Sequence, residues 1–99
     1  MKPEVLIPLS TLSTHYEVEM AFFTGLHDLN LIEIHLVEQA PYIHTDQLSE
    51  VERMIRLHME LNINLEGIDT IINLLEKNQR LEEELAEVKN KLRRYEDDL

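Results

Sequence analysis

Residues 32–44 read IEIHLVEQAPYIH. Ile32, Ile34 and Leu36 alternate with Glu33, His35 and Val37, a spacing of two that places successive side chains on opposite faces of an extended chain. Glu38 to Pro41 is turn material, and Tyr42-Ile43-His44 can return beside the first strand. The stretch predicts a β-hairpin. On either side of it the apolar spacing lengthens to three and four, so the hairpin stands between helices.

Upstream, Val5-Leu6-Ile7 lies between Pro3 and Pro8 and reads as a short strand. Ser10, Thr11 and Ser13 are good N-cap types, which predicts a short first helix from about Ser10 to His15. A second helix is expected from Glu17 to Leu29, with Phe22, Leu26 and Leu29 on one face. Glu17 and Glu19 would sit in its first turn, at the positive end of the helix dipole. Gly25 inside it costs about 1 kcal/mol against alanine, which close packing against the first helix would explain. Asn30 is a reasonable stop.

Downstream, Thr45 or Asp46 caps a third helix with apolar-face residues Leu48, Val51, Met54, Ile55, Leu57, His58 and Leu61. Asn62-Ile63-Asn64 breaks the pattern, and Asn64 is a good N-cap for the next helix. From Leu65 the chain has no proline, so residues 65–98 can form one helix about 50 Å long. Its seam runs Ile71, Leu74, Asn78, Leu81, Leu85, Val88, Leu92, Tyr95 and Leu99, in alternating steps of three and four. That is an a/d heptad pattern with Asn78 at an a position. Two regions follow: a compact domain at 1–64 and a dimerisation helix at 65–99.

A seam this long cannot fold back onto so small a domain, and soluble monomers avoid such stripes. A second copy is the economical cover. A parallel pair matches Lys77–Glu82′, Glu84–Lys89′ and Lys91–Glu96′; an antiparallel pair matches Glu84–Lys91′, Lys77–Asp98′ and Glu82–Lys89′. Charge therefore calls for pairing without fixing its direction, and Asn78 favours the parallel form, where it meets its own copy.

Composition narrows the function. The 99 residues contain no cysteine, which removes disulfides and thiolate metal sites and fits a reducing compartment. The opening MKPEVLIPLS is not a secretory signal, and no apolar stretch approaches membrane-spanning length, so the expected location is the cytoplasm. Nine Lys plus Arg stand against twenty Asp plus Glu, a net charge of −11. Residues 1–44 hold one cation, Lys2, against Glu4, Glu17, Glu19, Asp28, Glu33 and Glu38. Phosphate binding relies on cations releasing counterions, so nucleic acid is a poor partner for this segment.

No catalytic set declares itself: there is no thiol nucleophile, no glycine-rich phosphate loop and no Ser/His/Asp arrangement. Of the five histidines, His35 and His44 can face each other across the hairpin. Zinc would want a third and fourth ligand that nothing supplies. The reading is of a non-enzyme without metal or cofactor.

The order strand, helix, turn, helix, hairpin, helix, long helix is a mainly α winged helix-turn-helix layout. In a DNA reader of this layout, the second helix enters the major groove carrying Arg, Lys, Asn or Gln. Here it reads EVEMAFFTGLHDL, residues 17–29, with three acids and no cation.

The chain resembles chaperone-modulator proteins of the CbpM family, within the MerR-like helix-turn-helix group. The resemblance runs through LIPLSTLSTHYEVE, LNLIEI, PYIHTDQLSEVERMIRLHMELNINLEGID and IINLLEKNQRLEEELAEVKNKL, with LHMELNINLEGI the most distinctive part. It implies binding to the J-domain of a DnaJ-like, CbpA-type co-chaperone, and inhibition of that co-chaperone's stimulation of Hsp70. It also implies antiparallel packing of the dimer helices, against the hint from Asn78. Because J-domains resemble one another in carrying a basic helix, an acidic regulator can meet them by charge complementarity.

The expected contact face is Glu17, Glu19, Phe23 and His27, with Asp28 at its edge, since steps of four place 19, 23 and 27 on one side of a helix, away from Phe22 and Leu26. Two other readings compete: a DNA-binding MerR-like transcriptional regulator, and a structural coiled-coil adaptor whose globular part is only a cap.

Overall fold

The computed structural model describes residues 5–98; Lys2, Pro3, Glu4 and Leu99 lie outside the described residues. The order is strand β1 (Leu6–Pro8), helix α1 (Leu9–Tyr16), helix α2 (Met20–Asp28), strands β2 (His35–Val37) and β3 (Ala40–His44), a 3-10 turn (Thr45–Gln47), helix α3 (Leu48–Leu61) and helix α4 (Leu65–Asp97). This is the mainly helical, winged helix-turn-helix arrangement with a long last helix. The chain divides into two compact units, Met1–Asp69 and Thr70–Leu99, so the first takes in the opening turn of α4 that the sequence reading assigned to the dimerisation helix.

In the first unit, β3 is the middle strand of an antiparallel sheet ordered β1-β3-β2. Leu6 pairs with His44 and Pro8 with Tyr42 on one side; His35 pairs with Tyr42 and Val37 with Ala40 on the other. Pro41 lies in this middle strand but beyond the end of β1, so its missing N–H forfeits no bond to that strand. The hairpin is shorter than residues 32–44: the turn is the pair Glu38-Gln39, and residues 32–34 approach the strand without joining it. Both turn residues have positive φ, 51° and 68°, the requirement of a two-residue type I′ connection.

The core draws on every helix of the unit: Leu9 and Leu12 from α1, Phe22, Phe23 and Leu26 from α2, Ile43 from β3, Val51, Met54 and Ile55 from α3, and Ile68 from α4. Val18 and Ile32, each just past a helix end, are buried with them.

Several helix ends differ from the sequence reading. Pro8, not Ser10, precedes the first residue of α1, where proline's fixed φ suits the helix entrance and no side chain caps. Ser13 acts at the other end, its Oγ donating to the carbonyl of Val18. Helix α2 begins at Met20, so Glu17 and Glu19 precede it and its first turn holds no acid. Thr45 and Asp46 lie inside the 3-10 turn and do not cap α3: His44 caps that turn, its Nδ1 accepting from the Asp46 N–H at 3.3 Å, and Gln47 precedes α3 without a side-chain cap. Asn64 does cap α4, its Oδ1 accepting from the Gly67 N–H at 2.8 Å.

In the second unit α4 runs unbroken, and Leu74, Leu81, Leu85, Val88, Leu92 and Tyr95 are between 52% and 66% exposed. Ile71 is half-buried, and the seam's Asn78 is exposed and donates to Glu82 at 3.4 Å. No helix of the described residues is long and apolar enough to cross a membrane.

Gln39 holds a left-handed conformation that costs a non-glycine residue roughly 1–2 kcal/mol. Glycine removes that cost and adds about 0.5–1 kcal/mol of unfolded-chain entropy. Gln39→Gly is expected to raise stability by about 0.5–1 kcal/mol, read from the urea midpoint at unchanged slope.

Candidate functional site

The second helix of the helix-turn-helix and the turn before it carry the residues that the sequence nominated. The turn is built around one buried apolar residue. Val18 is 5% exposed, its N–H donates to the Ser13 carbonyl at 3.0 Å, and its own carbonyl accepts from Ser13 Oγ. Glu17, at φ 56°, closes α1 in the left-handed region, and Glu19 is the residue before α2. With Val18 turned inward, the two flanking carboxylates are exposed.

Along α2 the burial pattern corrects one assignment. Phe23 is fully buried, its ring edge-on to Phe22 at 5.7 Å, so it belongs to the core and not to the surface with Glu19 and His27. Both phenylalanines and Leu26 face inward, which makes the buried stripe wider than the Phe22–Leu26–Leu29 line. The exposed residues are Met20, Ala21, Thr24, His27 and Asp28. His27 lies eight residues past Glu19, about 12 Å along the axis. The expected residues therefore form two groups: Glu17 and Glu19 at the start of α2, and His27 and Asp28 at its end. His27 Nδ1 lies 3.3 Å from the carbonyl of Ile32. A carbonyl can only accept, so this nitrogen carries the proton.

At the start of α2 the surface is concave. A cleft of ≈ 450 Å³ is lined by Glu17, Val18, Glu19, Ala21 and Phe22, with His58 and Met59 from α3 and Leu65. The rings of Phe22 and His58 stack at 4.6 Å and 22°. His58 Nδ1 donates to the Ile63 carbonyl at 3.1 Å, which holds the ring on its other edge. Sequence reasoning missed this partnership. His58 was placed on the apolar face of α3, but Met59, which falls off that face and is 52% exposed, was the available signal.

The electrostatics are one-sided. Residues 5–69 hold eleven carboxylates and two cations, Arg53 and Arg56, a net of −9. Both arginines are on α3, and Arg53 is 3.9 Å from Glu50. Tyr16, near Glu52 and Arg56, has its phenol raised above the ordinary value by burial first and then by the Glu52 carboxylate, to which it hydrogen-bonds. Neither α2 nor the β2–β3 wing carries a cation.

The wing holds the histidine pair. His35 and His44 have ring centroids 6.5 Å apart, and each has an acid beside it, Glu33 at 3.9 Å and Asp46 at 3.3 Å. Among the described residues no group of three or more His, Cys, Asp or Glu could hold a metal ion. The Gln47 amide ties the wing's base to the 3-10 turn before α3, accepting from the Glu33 N–H at 2.9 Å and donating to the Glu33 carbonyl at 3.1 Å. Leu36, 73% exposed, is the most open apolar residue of the wing.

Compared with known families, residues 7–90 match the model described as MerR HTH family regulatory protein. No curated protein matches the chain.

Leu65, one of the residues lining the cleft, also explains Gly25. A Cβ there would lie 2.4 Å from Leu65 Cδ1, so the close neighbour is the first residue of α4 and not α1. The obstructing atom is the mobile end of a leucine. Gly25→Ala should be near neutral, because about 1 kcal/mol of helix propensity offsets the displaced methyl. Gly25→Leu adds atoms that Leu65 cannot avoid and should cost about 1–3 kcal/mol. Urea unfolding of both variants separates the two outcomes.

Proposed function

Because the chain belongs to the MerR HTH family of regulatory proteins, we propose that it regulates by binding a protein instead of DNA: a non-enzymatic modulator, of the CbpM type, that occupies the J-domain of a DnaJ-like, CbpA-type co-chaperone and blocks its stimulation of Hsp70. One observation carries this reading. The exposed surface of the helix that a DNA reader would insert in the groove presents Glu17, Glu19 and Asp28 at or near its two ends, and no cation. Phosphate would be repelled, whereas the basic helix of a J-domain is the complementary charge. Cytoplasmic location belongs to the same reading.

The wing and helix-turn-helix layout itself favours the second reading, a MerR-like transcriptional regulator that binds DNA. The two separate in solution. Calorimetry with an isolated CbpA-type J-domain should give binding that weakens between low and moderate salt. Glu17→Lys/Glu19→Lys should weaken it further, by about tenfold or more, equivalent to about 1.4 kcal/mol. Mixed-sequence duplex DNA at about 150 mM salt should give no anisotropy change at micromolar protein. DNA binding there, with no J-domain binding, would reverse the assignment.

The reading also includes a homodimer through α4, with Ile71, Leu74, Asn78, Leu81, Leu85, Val88, Leu92 and Tyr95 along its seam. Leucines more than half exposed in a single chain each stand to gain roughly 1.5–3 kcal/mol on full burial. Leu81→Asp/Leu85→Asp should convert the sedimenting species from dimer to monomer while leaving the helical circular-dichroism signal of the first unit.

A further inference from the structure

We infer that the cleft between the start of α2 and the end of α3 is the anchor of the partner interface, and that it receives one apolar side chain from a basic amphipathic helix. The inference rests on the reading of the chain as a binder of a cationic protein surface. It adds where the salt-independent part of the binding energy comes from.

Carboxylates alone make a poor interface. Exposed ion pairs contribute about 0–1 kcal/mol each, and screening at physiological salt limits their reach to about 8 Å. Specific interfaces concentrate their energy in a desolvated centre. On the acidic face, the cleft is the place where apolar surface is both accessible and held in shape. The stacked Phe22 and His58 rings form its wall, and the hydrogen bond from His58 to Ile63 fixes that wall before any partner arrives. Met59, unbranched and half exposed, is the kind of side chain that repacks around an incoming group.

Charge complementarity selects the occupant. Glu17 and Glu19 both line the cleft, and no Lys or Arg does. On a helix that lowers an apolar residue into the cleft, residues three or four places away lie about 5–6 Å from it on the same face. Lysine or arginine at those places meets the two carboxylates. An acidic helix would be repelled there, and a nucleic acid would find no cation for its phosphates. Met59 does for this surface what a central anchor does in other interfaces, while the glutamates steer the approach.

The test uses the intact protein and two probes: the isolated CbpA-type J-domain, and a synthetic amphipathic helical peptide with lysines flanking a single central leucine. Met59 is exposed, so Met59→Gln, neutral and of similar shape, can fold, and Met59→Leu serves as the apolar comparison. Met59→Gln should weaken binding of either probe by about tenfold or more at both low salt and about 0.5 M salt, because an apolar contact is not screened. Glu19→Lys should weaken binding at low salt, with the deficit shrinking at high salt. Met59→Leu should lose several-fold less than Met59→Gln, and amide shifts on titration should include Ala21, Phe22, His58 and Met59. J-domain binding that ignores Met59→Gln, with shifts confined to His27, Asp28 or the wing, would overturn the anchor and leave the J-domain reading standing. Failure of the J-domain to bind would overturn that functional reading, and the peptide would then decide the cleft: binding lost in Met59→Gln upholds it, and no binding at millimolar peptide overturns it.

Discussion

Ser13, His27 and His58 each donate a side-chain hydrogen bond to the carbonyl of the residue five places on: Val18, Ile32 and Ile63. One device closes three helices, and each time a residue with left-handed backbone, Glu17, Asn30 or Asn62, lies inside the loop it ties. The end of α2 adds the backbone half of a Schellman motif, with the Leu31 N–H on Leu26 and the Asn30 N–H on His27. A net contribution of about 1 kcal/mol each is modest, but small domains have only about 5–15 kcal/mol in all. The geometric consequence is larger. Bonding the fifth carbonyl back turns the side chains of Val18 and Ile32 into the core, and the residues around them outward. The acidic rim at Glu17 and Glu19 exists because Val18 between them is held inside.

The same closure sets His58 against Phe22 and forms the cleft wall. Structure and charge are thus laid down by the same few residues, and they serve opposite physical ends. The wall is apolar and short-ranged. The carboxylates act over several ångströms and fade with salt. A net charge of −9 on residues 5–69 costs some self-repulsion. No polar or charged residue among the described residues is buried, so solvent screens most of that cost and the field remains available outside.

Much of this architecture was legible in the sequence, because periodicity reports directly on burial. The hairpin, the break at Asn62–Asn64, the Asn64 cap and the unbroken last helix all follow from local pattern and chemistry. What was not legible depended on contacts between distant segments. Phe23 sits four residues from Glu19, and that spacing alone placed it outside; in the fold it is fully buried beside Phe22. Gly25 announced a close neighbour without naming it, and the neighbour is Leu65, forty residues on. Glu17 and Glu19 suited a first helical turn by propensity, yet closure of α1 at Glu17 left only two residues before α2. Of the candidate site, the acids were visible in composition, while Phe22, His58 and Met59 as a group required the fold, since no single-helix pattern links positions 22 and 58.

The exposed heptad seam and the cleft answer the same physics at different scales. Each is apolar surface that water disfavours, bordered by charges that select what covers it. Along α4 the charges alternate in sign, which suits the proposed pairing with another copy of the same alternating helix. At the cleft the bordering Glu17 and Glu19 are both negative, which repels a second copy of that surface and, on the proposed reading, attracts a cationic one. In the proposed function the sign pattern is what would separate self-association from partner binding within one short chain. Family architecture alone would allow a DNA reader; the acidic, cation-free surface of α2 and the wing is what supports the proposal of a protein partner.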